Sequence, residues 1–409
     1  MANSEGAPHS LTARIVTESA IIDDGVLAWA DGRITHVGPA SGQDAAGGKT
    51  FPEGSLVFPG LIDTHCHGAF GGDFASGDPE AARRAIDFLH RSGTTTLLAS
   101  TVTASREDMF RAFETLGALT DEGLLAGIHA EGPFVSTARC GAQNPEFIRN
   151  PDPGFVAEVL EAAQGKMKTM TYAPELPGAE ALIYELTTHG VTPSLGHTDC
   201  DTQTAVSSLG LVREEMESTG FDGYSGRPTV THLFNGMPPM HHRSPGPVPG
   251  CLRIARAGNA AVELIADNAH LDPQTVLSVF ELVGAENIAL VTDSMAATGL
   301  ADGSYRLGPS AVTVSGGVAT LDRTGSLAGG TATLLDVVRR TVSAGVGLVD
   351  AVISATAVPA NILGLADELG SLRNGLRADA VVVDPDLRLL AVLRRGEWLD
   401  PAPAAAAGY

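Results

Sequence analysis

The chain has 409 residues, with 26 Lys and Arg against 48 Asp and Glu, which gives a formal net charge of −22. This charge argues against a nucleic-acid partner, whose phosphates require a basic surface, and against an anionic membrane surface. A small anionic substrate stays compatible with it, because a few cations inside a cleft outweigh a distant, screened field. The length suits two or three average domains, or one large barrel with an appended domain.

The sequence gives no sign of export or of membrane insertion. It begins Met-Ala-Asn-Ser-Glu, without the basic and apolar regions of a secretory signal. It has no run of about 18 apolar residues, so no transmembrane helix is expected. The cysteines are scattered at Cys66, Cys140, Cys200 and Cys251 without a Cys-x-x-Cys pair, which is typical of reduced thiols. We therefore expect a cytoplasmic protein.

The middle of the chain alternates short apolar segments rich in β-branched residues with segments of helical period. Eight such alternations within about 300 residues predict a closed parallel (β/α)8 TIM barrel. An open doubly wound sheet is the alternative, although no Gly-rich dinucleotide motif supports it. The predicted strands are Leu61–His65, Thr94–Ser100, Leu124–His129, Lys168–Ala173, Val191–Gly196, Thr229–Leu233, Ala261–Ala266 and Asn287–Thr292. The predicted helices include Pro79–Arg91, Arg106–Leu119, Pro153–Ala163 and Pro273–Leu282.

Both ends of the chain favour short strands of alternating polarity instead. Asp24-Gly25 and Asp31-Gly32 predict hairpin turns near the N-terminus, and the glycine-rich segment 303–330 predicts a β-hairpin after the last barrel strand. We expect a small β-sandwich domain built from residues 1–57 and 371–409, the latter ending in a flexible tail, with the barrel at 58–370 as the catalytic domain. The terminal strands are predicted at Ala13–Thr17, Val26–Ala30, Ile34–Val37, Ala380–Val383 and Leu387–Val392.

Residues able to bind metal ions follow five of the predicted barrel strands, at the rim where barrel enzymes have their active sites. Because alternate residues of a strand face one side, His65 and His67 both face the barrel mouth. Asp63 lies one layer deeper on that face, where it could orient a histidine ligand. Imidazole and carboxylate groups without thiolate predict a divalent hydrolytic metal such as zinc, iron or manganese. The residues expected to surround it are His65, His67, Glu131, His197, His232 and Asp293.

This set of side chains predicts hydrolysis. A divalent ion lowers the pKa of bound water toward ~7 and polarises an amide carbonyl. Asp293 is expected to take the proton of that water and pass it to the departing amine, with a purely metal-binding role as the alternative. Alternation turns Cys66 away from the histidines, and Cys140 has no assignable base, so neither is predicted to be a nucleophile. Cys140 remains a candidate for lining the pocket.

Several motifs give the chain a specific resemblance to one family. From about residue 55 to residue 385 it resembles the N-acetylglucosamine-6-phosphate deacetylases of the amidohydrolase superfamily. The run from Pro59 to His67 marks only the superfamily, whereas Glu-Gly-Pro-Phe and His-Leu-Phe-Asn-Gly-Met are specific to the family. The motifs are Phe58-Pro59-Gly60-Leu61-Ile62-Asp63-Thr64-His65-Cys66-His67-Gly68, His129-Ala130-Glu131-Gly132-Pro133-Phe134, Gly196-His197-Thr198, Thr231-His232-Leu233-Phe234-Asn235-Gly236-Met237 and Val291-Thr292-Asp293-Ser294-Met295.

The resemblance implies how the metal is held. Glu131, His197 and His232 would bind the main ion, and Asp293 would be the catalytic acid and base. Because this chain keeps both His65 and His67, it would accept a second ion bridged by Glu131. The cofactor is thus one or two divalent ions per subunit: zinc, with iron, manganese or cobalt as alternatives. Strand four ends without a lysine, at Tyr172-Ala173-Pro174-Glu175, which argues against a dihydroorotase-like or urease-like enzyme.

The resemblance also implies a phosphosugar substrate. The reaction would convert N-acetyl-D-glucosamine 6-phosphate to D-glucosamine 6-phosphate and acetate, in amino-sugar catabolism and cell-wall recycling. The alternatives are N-acetylgalactosamine 6-phosphate, an unphosphorylated N-acyl substrate, and a binding protein without catalysis. The intact set of metal-binding residues argues against the last of these.

The implied substrate contacts include a residue from a second subunit. His270 would contact the phosphate, and Arg243 would reach the phosphate in the neighbouring active site of a homodimer; a solvated loop arginine is the alternative for Arg243. The sugar-binding loop departs from the family, because Cys140-Gly141-Ala142-Gln143 stands where many members have Lys-Gly-Ala-His. The remaining implied contacts are Asn235 and Gly236 with the phosphate, Ala142 and Gln143 with the sugar, and Leu327 with the acetyl group.

Overall fold

The computed structural model describes residues 9–40, 49–219 and 226–403. The tail predicted to be flexible falls partly beyond them, because residues 404–409 lie outside the described ranges. The strands are β1 His9–Val16, β2 Ile21–Ala30, β3 Arg33–Pro39, β4 Lys49–Thr50, β5 Leu56–Pro59, β6 Leu61–Cys66, β7 Gly68–Ala69, β8 Gly72–Asp73, β9 Thr94–Thr101, β10 Gly127–Glu131, β11 Met167–Tyr172, β12 Thr192–Leu195, β13 Thr229–Val230, β14 Ala261–Leu264, β15 Ile288–Leu290, β16 Gly303–Leu307, β17 Ser310–Ser315, β18 Val318–Leu321, β19 Ala380–Val383, β20 Leu389–Arg394 and β21 Glu397–Leu399. The α-helices are α1 Pro79–Arg91, α2 Arg106–Asp121, α3 Pro153–Ala163, α4 Ala179–Thr188, α5 Thr202–Ser218, α6 Val248–Arg256, α7 Pro273–Val283, α8 Leu334–Ser343, α9 Leu348–Ser354 and α10 Ala357–Ile362.

Eight parallel strands form the predicted barrel, in the order β6, β9, β10, β11, β12, β13, β14 and β15. The last strand returns to the first: the Asp293 backbone N–H donates to the His65 carbonyl at 2.8 Å, and that of His67 donates to the Ser294 carbonyl at 2.7 Å. These bonds close the barrel at its C-terminal rim. An α-helix follows each barrel strand, as the eight predicted alternations require.

The starts of several barrel helices follow from local sequence chemistry. Asp78, Asp152 and Asp272 each accept a hydrogen bond from a backbone N–H in the first turn of α1, α3 and α7. A proline then occupies the first helical position, where no intrahelical N–H bond is lost. These caps fix where each strand-to-helix loop ends, and so limit how far the rim loops extend.

The two ends of the chain build one further sheet of eight strands, with the path β21-β20-β19-β5-β1-β2-β3 and β4 beside β1. Its halves pack on each other as a sandwich: Trp29 lies edge-on to Trp398 at 5.7 Å and donates to the Gly396 carbonyl at 2.9 Å. The fold is therefore a (β/α)8 barrel with a small β-sandwich made from both termini. The domain boundaries stay predictions; β5 spans the first of them and pairs with β1 and β19.

One local prediction was wrong. Asp24-Gly25 lies inside β2 and forms no turn; its glycine is explained by packing, because a Cβ at this position would meet Ile15 at 2.7 Å. The turn instead spans Thr17 to Ala20, where the Thr17 N–H donates to the Ala20 carbonyl at 2.9 Å. The segment after the last barrel strand forms the predicted antiparallel hairpin with β16 and β17, and β18 adds a third strand to it.

Within the described ranges, no helix is both long enough and apolar enough to span a membrane.

Candidate active site

Two groups of potential metal ligands lie next to each other at the barrel rim. In the first, Glu131 Oε1 is 2.9 Å from the Nε2 atoms of both His197 and His232. In the second, Asp293 Oδ1 is 3.0 Å from His67 Nε2 and 3.5 Å from His65 Nε2. We call these groups the Glu131 cluster (Glu131, His197, His232) and the Asp293 cluster (His65, His67, Asp293).

The carboxylate of Glu131 also connects the two clusters. Its Oε2 atom is 3.3 Å from His67 Nε2, and its Oε1 atom is 3.7 Å from His65 Nε2. The structure therefore brings together all six residues that the sequence analysis expected around a metal.

Unusual backbone conformations turn these side chains inward. His197, His232 and Asp293 have φ values of 46°, 28° and 49°, in a region that non-glycine residues rarely occupy. Each residue follows the end of a barrel strand, where the chain must turn toward its helix. Such strain costs of order 1–3 kcal/mol per residue and persists where the surrounding structure imposes it, often at functional sites.

The donor set fits a divalent cation. His197 Nε2 lies 3.2 Å from His232 Nε2, and His65 Nε2 lies 3.2 Å from His67 Nε2. Two neutral imidazoles that point these nitrogens at each other need a proton or a metal ion between them. Histidine nitrogen and carboxylate oxygen are ligands typical of zinc and of other divalent transition metals.

The charges of the two clusters depend on each other. Burial by itself lowers the pKa of His67. Its hydrogen bonds to Asp293 and Glu131 outweigh this effect and raise the pKa to about 9. Burial raises the pKa of Asp293, and the opposing effects of His65 and His67 bring it well below its ordinary value. Asp293 is thus an ionised carboxylate at neutral pH, as a proton acceptor must be.

A buried residue that the sequence analysis missed supports both clusters. Glu263, on β14, has one carboxylate oxygen 3.1 Å from His65 Nδ1 and 3.2 Å from the backbone N of His232. By accepting from Nδ1–H, Glu263 leaves His65 Nε2 free to face a metal. The signal was present in the sequence, as a single charged residue within the apolar strand Ala-Val-Glu-Leu.

Asp63 does not have the contact expected of it. It accepts hydrogen bonds from the His65 backbone N–H at 3.2 Å and from the Thr292 hydroxyl at 2.6 Å, and it does not contact a histidine ring. Burial raises its pKa to about 6. Asp63 holds the backbone of β6 against the last strand, so the task of orienting the His65 ring falls to Glu263.

The clusters open into a pocket of about 230 Å³. Most residues with a predicted substrate contact line it, and so do Leu307 and Ser326, which the sequence analysis did not identify. Both belong to the glycine-rich excursion that follows the last barrel strand. The predicted contacts that line the pocket are Ala142, Gln143, Asn235, Gly236, His270 and Leu327.

Two predicted residues lie elsewhere. Cys140 ends a short 3-10 helix, Thr137–Arg139, and is not among the residues that line the pocket, although the adjacent Gly141 is. Arg243 is exposed on the loop after β13 and lines a separate groove with Arg139, Asp199 and others. Its own chain therefore does not use Arg243 in this pocket.

His270 presents one ring nitrogen to the pocket. Its Nδ1 atom lies 2.8 Å from Asp267 Oδ2, and its Nε2 atom lies 4.0 Å from Asp293 Oδ2. Burial lowers the pKa of His270, but the contact with Asp267 raises it above the ordinary value. The pocket thus has a cation-forming imidazole beside the carboxylate of Asp293.

A (β/α)8 barrel with histidine and carboxylate clusters at its C-terminal rim defines a hydrolase of the metal-dependent barrel class. Residues 56–405 match the amidohydrolase family. The chain is 33% identical to the N-acetylglucosamine-6-phosphate deacetylase of Bacillus subtilis, covering 93% of this chain and 94% of that protein. It is 31% identical to the N-acetylgalactosamine-6-phosphate deacetylase of Escherichia coli O157:H7, covering 95% and 98%.

Solved structures agree. A mutant of N-acetyl-D-glucosamine-6-phosphate deacetylase from Mycobacterium smegmatis, in complex with N-acetyl-D-glucosamine-6-phosphate, is 38% identical, with a TM-score of 0.88 over 96% of this chain and 99% of that one. The chain belongs to the amidohydrolase superfamily and, within it, to the N-acetylglucosamine-6-phosphate deacetylase family.

Gly236 offers a test of how tightly the Glu131 cluster is built. It has φ +60°, and an added Cβ would lie 2.8 Å from His197 Nδ1. We expect Gly236→Ala to displace His197 and to weaken the binding of a divalent metal, probed with zinc, about 10–100-fold, as changes beside a metal ligand typically do. Chelator competition on metal-free protein measures this affinity.

The matched control is Gly190→Ala. Gly190 has φ +70°, and nothing lies within 4 Å of its added Cβ, so it incurs the same backbone strain without the clash. It should keep the zinc affinity of the wild type. Equal affinities for both variants would contradict the proposed crowding of His197.

Proposed function

We propose that this protein hydrolyses the acetamide of N-acetyl-D-glucosamine 6-phosphate to D-glucosamine 6-phosphate and acetate, using a divalent metal. The observation that carries the proposal is that both clusters, Asp293 and His270 open into one pocket. This pocket offers a place for metal-assisted attack on an amide next to an imidazole able to contact an anion. The names of the relatives supply the substrate.

The proposed metal is zinc, which Glu131, His197 and His232 would hold; His65 and His67, with Glu131, would support a second ion if one binds. Iron, manganese or cobalt would suit the same ligands. When bound, such an ion lowers the pKa of water and polarises the amide carbonyl. Glu263 keeps the His65 ring oriented through its contact with Nδ1.

Asp293 is the proposed acid and base. Its low pKa keeps it ionised, so its carboxylate accepts the proton of the attacking water. The same carboxyl then donates that proton to the amine as the C–N bond breaks. The resulting amine leaves as glucosamine 6-phosphate, and the acyl group leaves as acetate.

The substrate phosphate is proposed to contact His270, Asn235 and Gly236, which all line the pocket. Asp267 supports this role because it raises the pKa of His270 and so favours the charged imidazolium. Ala142 and Gln143 are the proposed neighbours of the sugar, and Leu327 is the proposed neighbour of the acetyl group; all three line the pocket.

The proposal includes a homodimer and a cytoplasmic location. Arg243 is exposed, makes no ion pair with any described residue, and lies outside its own pocket. These observations favour a role in the neighbouring subunit, where it would contact the phosphate. The cytoplasm suits an intracellular phosphosugar and the unpaired cysteines.

N-acetylgalactosamine 6-phosphate is the second candidate substrate. The relative from E. coli O157:H7 carries that activity in its name and is nearly as similar as the relative from B. subtilis. The two sugars differ only in the configuration at C4.

The first test compares acetate release from both N-acetylhexosamine 6-phosphates and from both unphosphorylated sugars. We expect the glucosamine phosphate to be hydrolysed best, chelation to abolish the activity, and zinc to restore it at least partly. Metal content is measured on the same samples, so that the loss of activity can be compared with the loss of metal. Full activity in metal-free protein, or preference for an unphosphorylated sugar, would refute the proposal.

The second test is Asp293→Asn, which keeps the side-chain volume but removes the base. We expect kcat to fall roughly 10²–10⁴-fold with the fold intact. Metal content must be determined alongside, because Asp293 belongs to the Asp293 cluster. Near-normal turnover in a metal-loaded sample would assign the base to another residue.

The third test is Arg243→Ala. A charge-assisted contact with phosphate is worth about 1.5–3 kcal/mol, or ~10–150-fold in kcat/KM. We expect that loss with the phosphorylated sugar and almost none with the unphosphorylated one. Arg256→Ala, which removes another exposed arginine at the end of α6, should leave both activities unchanged.

Mixing separates action within a subunit from action between subunits. A heterodimer of Arg243→Ala and Asp293→Asn chains has one site with both wild-type residues and one site with neither. Recovered activity would support a contact from the neighbouring subunit. Heterodimers that form without recovering activity would place Arg243 in its own subunit's site.

A further inference from the structure

Gln143 contacts a proposed metal ligand, Glu131, at the carboxylate oxygen that also faces His67. Its side chain is 2% exposed, and its Nε2 atom lies 2.6 Å from Glu131 Oε2. Its Oε1 atom lies 2.6 Å from the backbone N of Thr103. Because a backbone N–H only donates, the amide oxygen must face Thr103 and the amide NH2 must face Glu131. The neighbours therefore fix the orientation of the Gln143 amide.

That orientation distinguishes the two oxygens of Glu131. Oε1 lies between His197 and His232, whereas Oε2 faces His67 and receives the Gln143 N–H. Rotation of the carboxylate plane away from this orientation would break the contact with Gln143. Gln143 thereby holds the carboxylate with one oxygen toward each cluster.

The loop that carries Gln143 also orients a second residue of the Glu131 cluster. His197 Nδ1 donates to the Arg139 carbonyl at 2.7 Å, which leaves His197 Nε2 facing Glu131. The Gln143 backbone N–H donates to the Cys140 carbonyl at 2.8 Å, and this turn brings the two contacts close together. One short loop thus supports two of the three residues of the cluster.

We propose that Gln143 is a positioning residue for the metal-binding carboxylate of Glu131, and not primarily a sugar contact. Its amide oxygen already accepts from Thr103 and one of its N–H groups already donates to Glu131, so half of its hydrogen-bonding capacity is used within the protein. The inference rests on the proposed metal-dependent function and deepens it. Hydrogen-bond partners of metal ligands typically contribute 10–100-fold to metal affinity.

Two variants test the hydrogen bond itself. Gln143→Glu keeps the size and the oxygen for Thr103, but it turns an oxygen toward Glu131 in place of the N–H. Gln143→Met keeps a similar length and removes both polar groups. We expect zinc affinity, measured on metal-free protein by chelator competition, to fall about 10–100-fold in both, and more in Gln143→Glu because two carboxylates then face each other.

Gln164→Glu is the matched control. Gln164 is exposed at the C-terminal end of α3, which topology places at the opposite end of the barrel, and the substitution makes the same change in charge. It should bind zinc as the wild type does. Circular dichroism establishes that each variant is folded, and the methionine variant keeps the test valid if the glutamate variant does not fold.

Steady-state kinetics at saturating zinc complete the test. Unchanged zinc affinity in both folded Gln143 variants would overturn the proposal, and a raised KM in the same variants would assign Gln143 to the sugar. Zinc affinity is measured without substrate. A wild-type protein that binds zinc but releases no acetate would therefore refute the proposed substrate, while the Gln143 variants would still test this inference.

Discussion

The site depends on one buried carboxylate, that of Glu131, which four imidazoles surround within 3.7 Å. A buried, unpaired carboxylate costs several kcal/mol, so it must be neutralised by its neighbours. Burial raises the pKa of Glu131, yet the histidines around it bring that pKa well below its ordinary value. Without metal, the histidines supply the positive charge that neutralises Glu131. A bound divalent ion would supply this charge instead. Metal binding to such a site releases protons, and its affinity therefore falls as pH is lowered.

Closure of the barrel places the second cluster against the first. Backbone hydrogen bonds between the end of the last strand and the end of β6 fix Asp293 beside His67. The proposed proton acceptor and the histidine pair therefore lie together where the barrel closes. Glu263 reaches across from β14 to the His65 ring and to the His232 backbone. Contacts between distant strands, and not local conformation, therefore determine the distance between the clusters.

The difference between local conformation and contacts between distant strands explains what could be predicted from the sequence. Periodicity of two placed His65 and His67 on one face. The helices predicted to begin at Pro79, Pro153 and Pro273 begin there in the structure, because helical periodicity and the capping by the preceding Asp act within a few residues. The prediction of a turn at Asp24-Gly25 was wrong because the glycine has another cause. A side chain at Gly25 would clash with Ile15, which lies on another strand.

The missed contacts at the site have the same origin. Glu263 supports residues that lie 198 and 31 positions away in the chain, and no local pattern reports such a partner. Gln143 occupies a sequence position that the family resemblance associates with the sugar. In the structure its partners are Glu131 and Thr103. These contacts form only where the folded loop packs on the barrel rim, so no local sequence pattern indicates them.

The charge of the chain bears directly on the proposed substrate. No Lys or Arg is among the described residues that line the pocket, and Glu131 and Asp293 are two of the groups that do. The cluster histidines are committed to these carboxylates, which leaves His270 as the cation-forming group for a phosphate dianion. His270 itself shares its charge with Asp267. His270 is thus the one cation-forming side chain outside the two clusters among the described residues that line the pocket, and the proposed contribution of Arg243 from a second subunit would add the positive charge that a phosphate dianion favours.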